Sequence, residues 1–125
     1  MTLLDTDVAA DILRNHPPAI TWLQGFGSAP LGLPGLVVME LLQGCLNKAE
    51  QQRVEQFCQL HMLYWPTELA CQRALHDFTA FHLSNNLGLL DALIAHTAVW
   101  LNEPLATFNV KHYGVVVGLT TIQPY

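Results

Sequence analysis

The sequence predicts an α/β domain in three layers, α/β/α, around a central parallel sheet of about five strands. Two observations carry this reading. Short apolar runs alternate with helix-period segments along the 125 residues, as they do in βαβ units. Four of these runs also lead at once into a carboxylate or carboxamide: Leu3-Leu4-Asp5-Thr6-Asp7, Leu36-Val37-Val38-Met39-Glu40, Leu89-Leu90-Asp91 and Leu105-Ala106-Thr107-Phe108-Asn109. A parallel sheet presents side chains in this way at its carboxyl edge, where ligands bind. At this length one domain is expected over residues 1–125.

The elements follow in order. Thr2–Leu4 reads as the first strand. A helix is expected from about Asp7 to Asn15, with Val8, Ile12 and Leu13 facing inward. His16-Pro17-Pro18 ends it, because proline lacks the helix donor and restricts the residue before it. Ala19–Gln24 forms a second short helix closed by Gly25 and Gly27. The Pro30–Gly35 stretch has turn composition, which leaves Leu36–Val38 as a buried strand and Met39–Cys45 as a short helix ending near Gly44. Ala49–Leu60 is amphipathic, and His61–Tyr64 is a third strand stopped by Pro66. Thr67 caps a long helix to about Leu83, with Glu68 in the first turn, where the helix dipole favours an anion. Ser84–Gly88 is a loop, and Leu89–Leu101 is apolar enough to be a central buried helix. Leu105–Thr107 and Leu119–Ile122 supply the last two strands.

Composition narrows the function. Apolar residues make up 51% and charged residues only 12%, so the few charges are placed for a reason. No apolar run approaches the roughly 20 residues of a membrane span. The N-terminal region carries Asp5, Asp7 and Asp11 where a signal peptide would be basic, so a cytoplasmic location is expected. Cys45, Cys58 and Cys71 fit neither a disulfide framework nor a zinc pattern and read as small apolar helix residues. His76 and His82 fall on different helix faces, which argues against a paired-imidazole metal site. A net charge of −5 argues against a dedicated nucleic-acid surface. A nuclease stays open, since a metal can carry the local positive charge.

Each acid also has a plain structural role open to it. Asp5 and Asp7 can cap the first helix, and Glu40 can complement a helix dipole. Asn109 is ordinary turn chemistry. Glu40, however, is the sole charge between Arg14 and Lys48, and Asp91 the sole acid between Asp77 and Glu103. Acids gathered from distant parts of a chain repel one another unless a cation neutralises them. A hard divalent ion such as Mg²⁺ or Mn²⁺ is the natural candidate, and phosphate esters are the natural substrates.

The motifs together resemble a known family. Leu3-Leu4-Asp5-Thr6-Asp7-Val8 resembles an "LLDTN/D" opening, and Met39-Glu40-Leu41-Leu42-Gln43-Gly44 resembles "xELxxG". Leu90-Asp91-Ala92-Leu93-Ile94-Ala95-His96-Thr97-Ala98 resembles "DxxIAAxA", and Thr107-Phe108-Asn109-Val110-Lys111-His112-Tyr113 resembles "TxNxxHF". In this order and spacing they are similar to PIN-domain ribonucleases, and more narrowly to the toxin components of VapBC toxin–antitoxin pairs. The chain departs from that pattern at Tyr113, where phenylalanine is usual, at His96, where alanine is frequent, and at Asn109, which is aspartate in many PIN nucleases.

The resemblance implies a metal-dependent endoribonuclease. Asp5, Glu40 and Asp91 would hold Mg²⁺ or Mn²⁺, directly or through water, with Asn109 at the fourth corner. Thr6 and Thr107 would hydrogen-bond the ligand carboxylates, or serve as ordinary strand-end threonines, and Asp7 would lie in the outer shell or cap a helix. Lys111, His112 and Arg14 are the candidates to hold the RNA backbone. The implied substrate is a structured RNA such as tRNA or rRNA, and the implied partners are a cognate antitoxin and a second copy in a homodimer. Apolar material at Ile20, Trp22, Leu23, Phe57 and Leu60 could line a dimer surface or the core. Rival readings are an inactive PIN interaction module, a haloacid-dehalogenase-like phosphatase suggested by Asp5-Thr6-Asp7, and a response-regulator receiver. The last two lack a well-placed lysine.

Overall fold

Every residue of the first strand, β1 (Thr2–Leu4), is buried in the computed structural model, which describes residues 1–125. A strand covered on both faces belongs at the centre of a parallel sheet. β1 pairs in parallel with β2 (Leu31–Pro34) on one side and with β4 (Leu105–Ala106) on the other. β3 (Met62–Tyr64) lies beyond β2 and β5 (Thr121–Ile122) beyond β4, giving the order β3-β2-β1-β4-β5. Seven helices flank the sheet in the α/β/α arrangement: α1 (Thr6–Leu13), α2 (Pro17–Gln24), α3 (Gly35–Gln43), α4 (Lys48–Gln59), α5 (Glu68–Phe81), α6 (Leu89–Leu101) and α7 (Val110–Tyr113).

The core forms where the apolar strands meet the helices. Leu3, Leu4, Leu33 and Leu105 from the sheet are fully buried against Val8, Val37, Ile94, Ala95 and Ala98 from α1, α3 and α6. Ile12 completes the inward face of α1, while Leu13 is only half-buried. The helix ends use local chemistry. Asn47 Oδ1 accepts from the Glu50 amide at 2.9 Å to start α4, and Thr67 Oγ1 accepts from the Ala70 amide at 3.1 Å to start α5. His96 is buried on α6, where its Nε2 meets Asp77 Oδ2 of α5 at 2.6 Å, so it is a satisfied core residue.

The second strand corrects the sequence reading. Leu36–Val38 is helical, and the strand lies five residues earlier, in the stretch that reads as a turn. The reason is close packing. A Cβ on Gly32 would come within 2.8 Å of both Leu3 Cδ2 and Tyr64 Cε2, so the crowded centre of the sheet admits glycine there. Pro34, at φ −59° and ψ 135°, sits at the hand-over from strand to helix, which its fixed φ permits. Pro17 and Pro18 likewise open α2, because the first helical turn does not need their missing donors. The one-turn helix α7 stands where the sequence reading placed a turn, and it decides where Tyr113 points.

Candidate active site

Asp5 is the first residue past the central strand, and the fold spends its whole surroundings on it. It caps α1, with Oδ1 accepting from the Thr6 amide at 2.8 Å. Its Oδ2 accepts from Thr107 Oγ1 at 2.7 Å, and the Thr107 hydroxyl in turn accepts from the Asn109 amide at 3.0 Å. Asp5 is 3% exposed and Thr107 fully buried. Burial, with Asp7 as a smaller contribution of the same sign, pushes the Asp5 carboxyl up to about 6, against the pull of its hydrogen bonds from Thr107 and Thr6.

Asp7 ties two ends of the site together. Its Oδ1 accepts from the Val8 amide at 2.7 Å, and its Oδ2 accepts from the Phe108 amide at 3.0 Å, which pins the chain after β4 to the first turn of α1. Burial raises its carboxyl too, with the Phe108 and Val8 amides acting in the opposite direction.

Glu40 and Asp91 join from helices, as the readings of Met39–Cys45 and Leu89–Leu101 expect, but neither helix is entered from a strand that ends at the acid. Glu40 lies in the second turn of α3, half-buried, with Oε1 accepting from Thr6 Oγ1 at 2.9 Å. Thr6 therefore serves Glu40 while Thr107 serves Asp5. Asp91 is the third residue of α6, and its Oδ2 accepts from the Gly88 amide at 3.1 Å, which is the one half of a capping box that a glycine N-cap permits. A Cβ on Gly88 would fall 2.7 Å from Asp91 Oδ2, so a larger residue there would push this carboxylate aside.

A residue without a functional role in the sequence reading links the two buried acids. Tyr113 is 1% exposed, and its one hydroxyl proton is shared between Asp91 Oδ1, 3.4 Å away, and Asp5. Burial, followed by the charges of Asp5 and Asp91, holds the phenol far above its ordinary range. A buried tyrosine needs a polar partner. That requirement was the available signal, and α7 is the element that was missing.

The remaining candidates lie outside this cluster. Asn109 is exposed and its side chain caps nothing, although its amide is held by Thr107. Lys111 is exposed and His112 half-buried on α7. Arg14 is exposed and ion-paired with Asp11. It lines a groove of about 460 Å³ that runs from Thr6 and Glu40 between α1, α3 and α4 to Arg53.

The donor set suits a hard cation. The ion pairs of the chain join Met1 to Glu103, Arg14 to Asp11 and His96 to Asp77, so Asp5, Glu40 and Asp91 have no cationic partner. Asp5 is thus a buried carboxyl with a raised pKa and no counter-charge, which a divalent ion would supply. No three acidic, histidine or cysteine side chains converge as a closed ligand set. Mg²⁺ needs only one or two carboxylates, since it retains several waters.

The fold and site define a small, all-parallel α/β domain with uncompensated carboxylates around the end of its central strand. Residues 2–116 match the PIN-domain family. Ribonuclease VapC10 of Mycobacterium tuberculosis is 33% identical over 115 residues, covering 90% of this chain and 86% of that protein. The chain belongs to the PIN-domain family, among its VapC-type members.

Solved structures agree on the fold. VapBC2 from Rickettsia felis, bound to a DNA fragment from its promoter, matches with a TM-score of 0.79 at 19% identity, over 97% of this chain and 96% of that one. DNA-bound VapBC from Salmonella typhimurium matches with a TM-score of 0.78 at 17% identity, over the same shares of 97% and 96%.

Proposed function

We propose that this chain is a Mg²⁺- or Mn²⁺-dependent endoribonuclease that acts as the toxin of a toxin–antitoxin pair. The observation that carries this reading is the buried, uncompensated Asp5, linked through the Tyr113 hydroxyl to Asp91. The relative named Ribonuclease VapC10 supports the activity, and the VapBC complexes among the structural neighbours support an antitoxin partner.

In this reading Asp5 and Asp91 hold the ion, and Glu40 contributes through water from its place beside Thr6. When bound, the ion acidifies a water and polarises the scissile phosphate. Thr107 and Tyr113 keep the two acids in fixed orientations by donating to them, as supporting groups do at metal sites. Water adds at phosphorus, the bond to the ribose 3′-oxygen breaks, and that oxygen leaves with a proton. Lys111, His112 and Arg14 hold flanking phosphates, and Asn109 orients water at the exposed rim. The substrate is a structured RNA such as tRNA or rRNA. A homodimer would use exposed apolar surface including Leu60, since Phe57 belongs to the core and Ile20, Trp22 and Leu23 pack against it.

The test is cleavage of purified tRNA and rRNA with Mg²⁺ or Mn²⁺, with a chelator, and with Asp5→Asn. Cleavage that needs the ion and disappears in Asp5→Asn is expected. Cleavage indifferent to both would refute the site, and a folded, metal-loaded chain without turnover would favour an interaction module.

A further inference from the structure

An exposed indole stands beside the acid cluster and takes no part in it. Trp65 follows β3 directly, and the pairing of Pro34 with Tyr64 places it next to Gly35. Its ring lies flat on that glycine, because a Cβ on Gly35 would collide with the six-membered ring. The outer face is open: Trp65 is 57% exposed, as is Met39 at 54%, one turn along α3 and adjacent to Glu40. Extending the Leu3–Gly32 register sets Asp5 level with Pro34. Trp65 leaves β3, which β2 separates from β1, so it stands roughly 10 Å to the side of Asp5 along the same sheet edge.

We propose that Trp65 is a stacking platform for an unpaired base next to the scissile phosphate, an inference that rests on the nuclease reading. Charge alone would leave RNA weakly held. With a net charge of −5 and only 5 lysines and arginines, the chain attracts phosphates weakly. A π face gains affinity for RNA that does not depend on charge, and every base offers one. Such a platform takes unstacked bases in loops and single strands, and a duplex keeps its bases out of reach. Gly35 is the residue that makes the platform flat.

The experiment uses a fluorescein-labelled, single-stranded RNA 12-mer of mixed sequence and its duplex. Binding is measured in the Asp5→Asn background, alone and combined with Trp65→Leu or Trp65→Phe. Leucine keeps an apolar cover on Gly35 without a π face, and phenylalanine restores the face. Thermal melts establish that each variant is folded. The Kd for single-stranded RNA should rise roughly tenfold with Trp65→Leu and recover most of the way with Trp65→Phe, while the weaker duplex binding stays unchanged. In the otherwise native chain, KM should rise by the same factor and kcat should stay within about twofold. Equal Kd with and without Trp65→Leu overturns the platform, even if the chain cleaves RNA. A clear Kd difference in a chain that never cleaves overturns the nuclease reading, and with it the place beside a scissile phosphate, and leaves Trp65 a stacking contact of an RNA-binding module.

Discussion

Replacing Asp5 by asparagine should stabilise the metal-free protein at neutral pH while abolishing its activity. The Asp5 carboxyl titrates at about 6, against an ordinary value of 3.8, chiefly because it is buried. The folded protein therefore holds this proton to higher pH than the unfolded chain does. Stability is fully present below about pH 4 and is lost as pH rises through about 6. At about 1.4 kcal/mol per pKa unit the loss amounts to about 3 kcal/mol by pH 7.5. The amide escapes it at little cost in contacts. Its oxygen still accepts from the Thr6 amide, and its NH₂ donates to Thr107 Oγ1, whose hydroxyl only has to rotate. Urea melts in chelator at pH 4.5 and pH 7.5 test this. The variant should exceed the parent by about 2–3 kcal/mol at the higher pH, and the gap should shrink to under about 1 kcal/mol at the lower one. Adding Mn²⁺ should bring the two level by stabilising the parent alone, by about 2.7 kcal/mol at a hundredfold excess over Kd. Parallel pH profiles, or a variant weaker than the parent at pH 7.5, would refute the assignment of Asp5 as a strained, uncompensated acid.

Other outcomes follow from neighbouring contacts. Tyr113→Phe removes the hydroxyl that bonds Asp5 and Asp91, so it should cost about 1 kcal/mol in a denaturant melt. It should also move the acid limb of the pH–rate profile upwards, because that hydrogen bond lowers the Asp5 pKa. Lys111→Ala should flatten the salt dependence of RNA binding by about one charge and leave kcat unchanged, as a filter-binding series at several ionic strengths would show. Gly32→Ala should destabilise the fold by about 1–3 kcal/mol, because its methyl would press on Leu3 and Tyr64 at the middle of the sheet. Calorimetry would measure the fall in Tm.

Some of this architecture is legible from residue patterns, and the failures have causes. Asp5 and Thr107 announce themselves because a polar group directly after a buried apolar run must sit at a strand end. Helix α6 is equally plain, since thirteen residues from Leu89 to Leu101 leave no room for another reading. The strand Leu31–Pro34 is hidden by its own composition: glycine and proline are turn residues, and only the crowding from Leu3 and Tyr64 turns Gly32 into a strand residue. With the strand displaced, the helix starts at Gly35, so Glu40 moves from its first turn to its second. Its bond to Thr6, 34 residues earlier, is a tertiary fact that no local pattern encodes. Tyr113 escapes for the same reason, because its burial depends on a single helical turn too short to carry periodicity.

The bond between Thr107 and Asp5 joins residues 102 positions apart, across a sheet whose middle strand is made first and whose next neighbour is made almost last. A ribosome adds roughly 5–20 residues each second, so Asp5 waits about 5–20 s for the partner that fixes its orientation. Throughout that interval the nascent chain carries its acids without the frame that assembles them. A chain that stops short of Thr107 can still use Asp5 to cap α1. It lacks the hydroxyl that orients the other Asp5 oxygen, so assembly of the site depends on the C-terminal part of the fold.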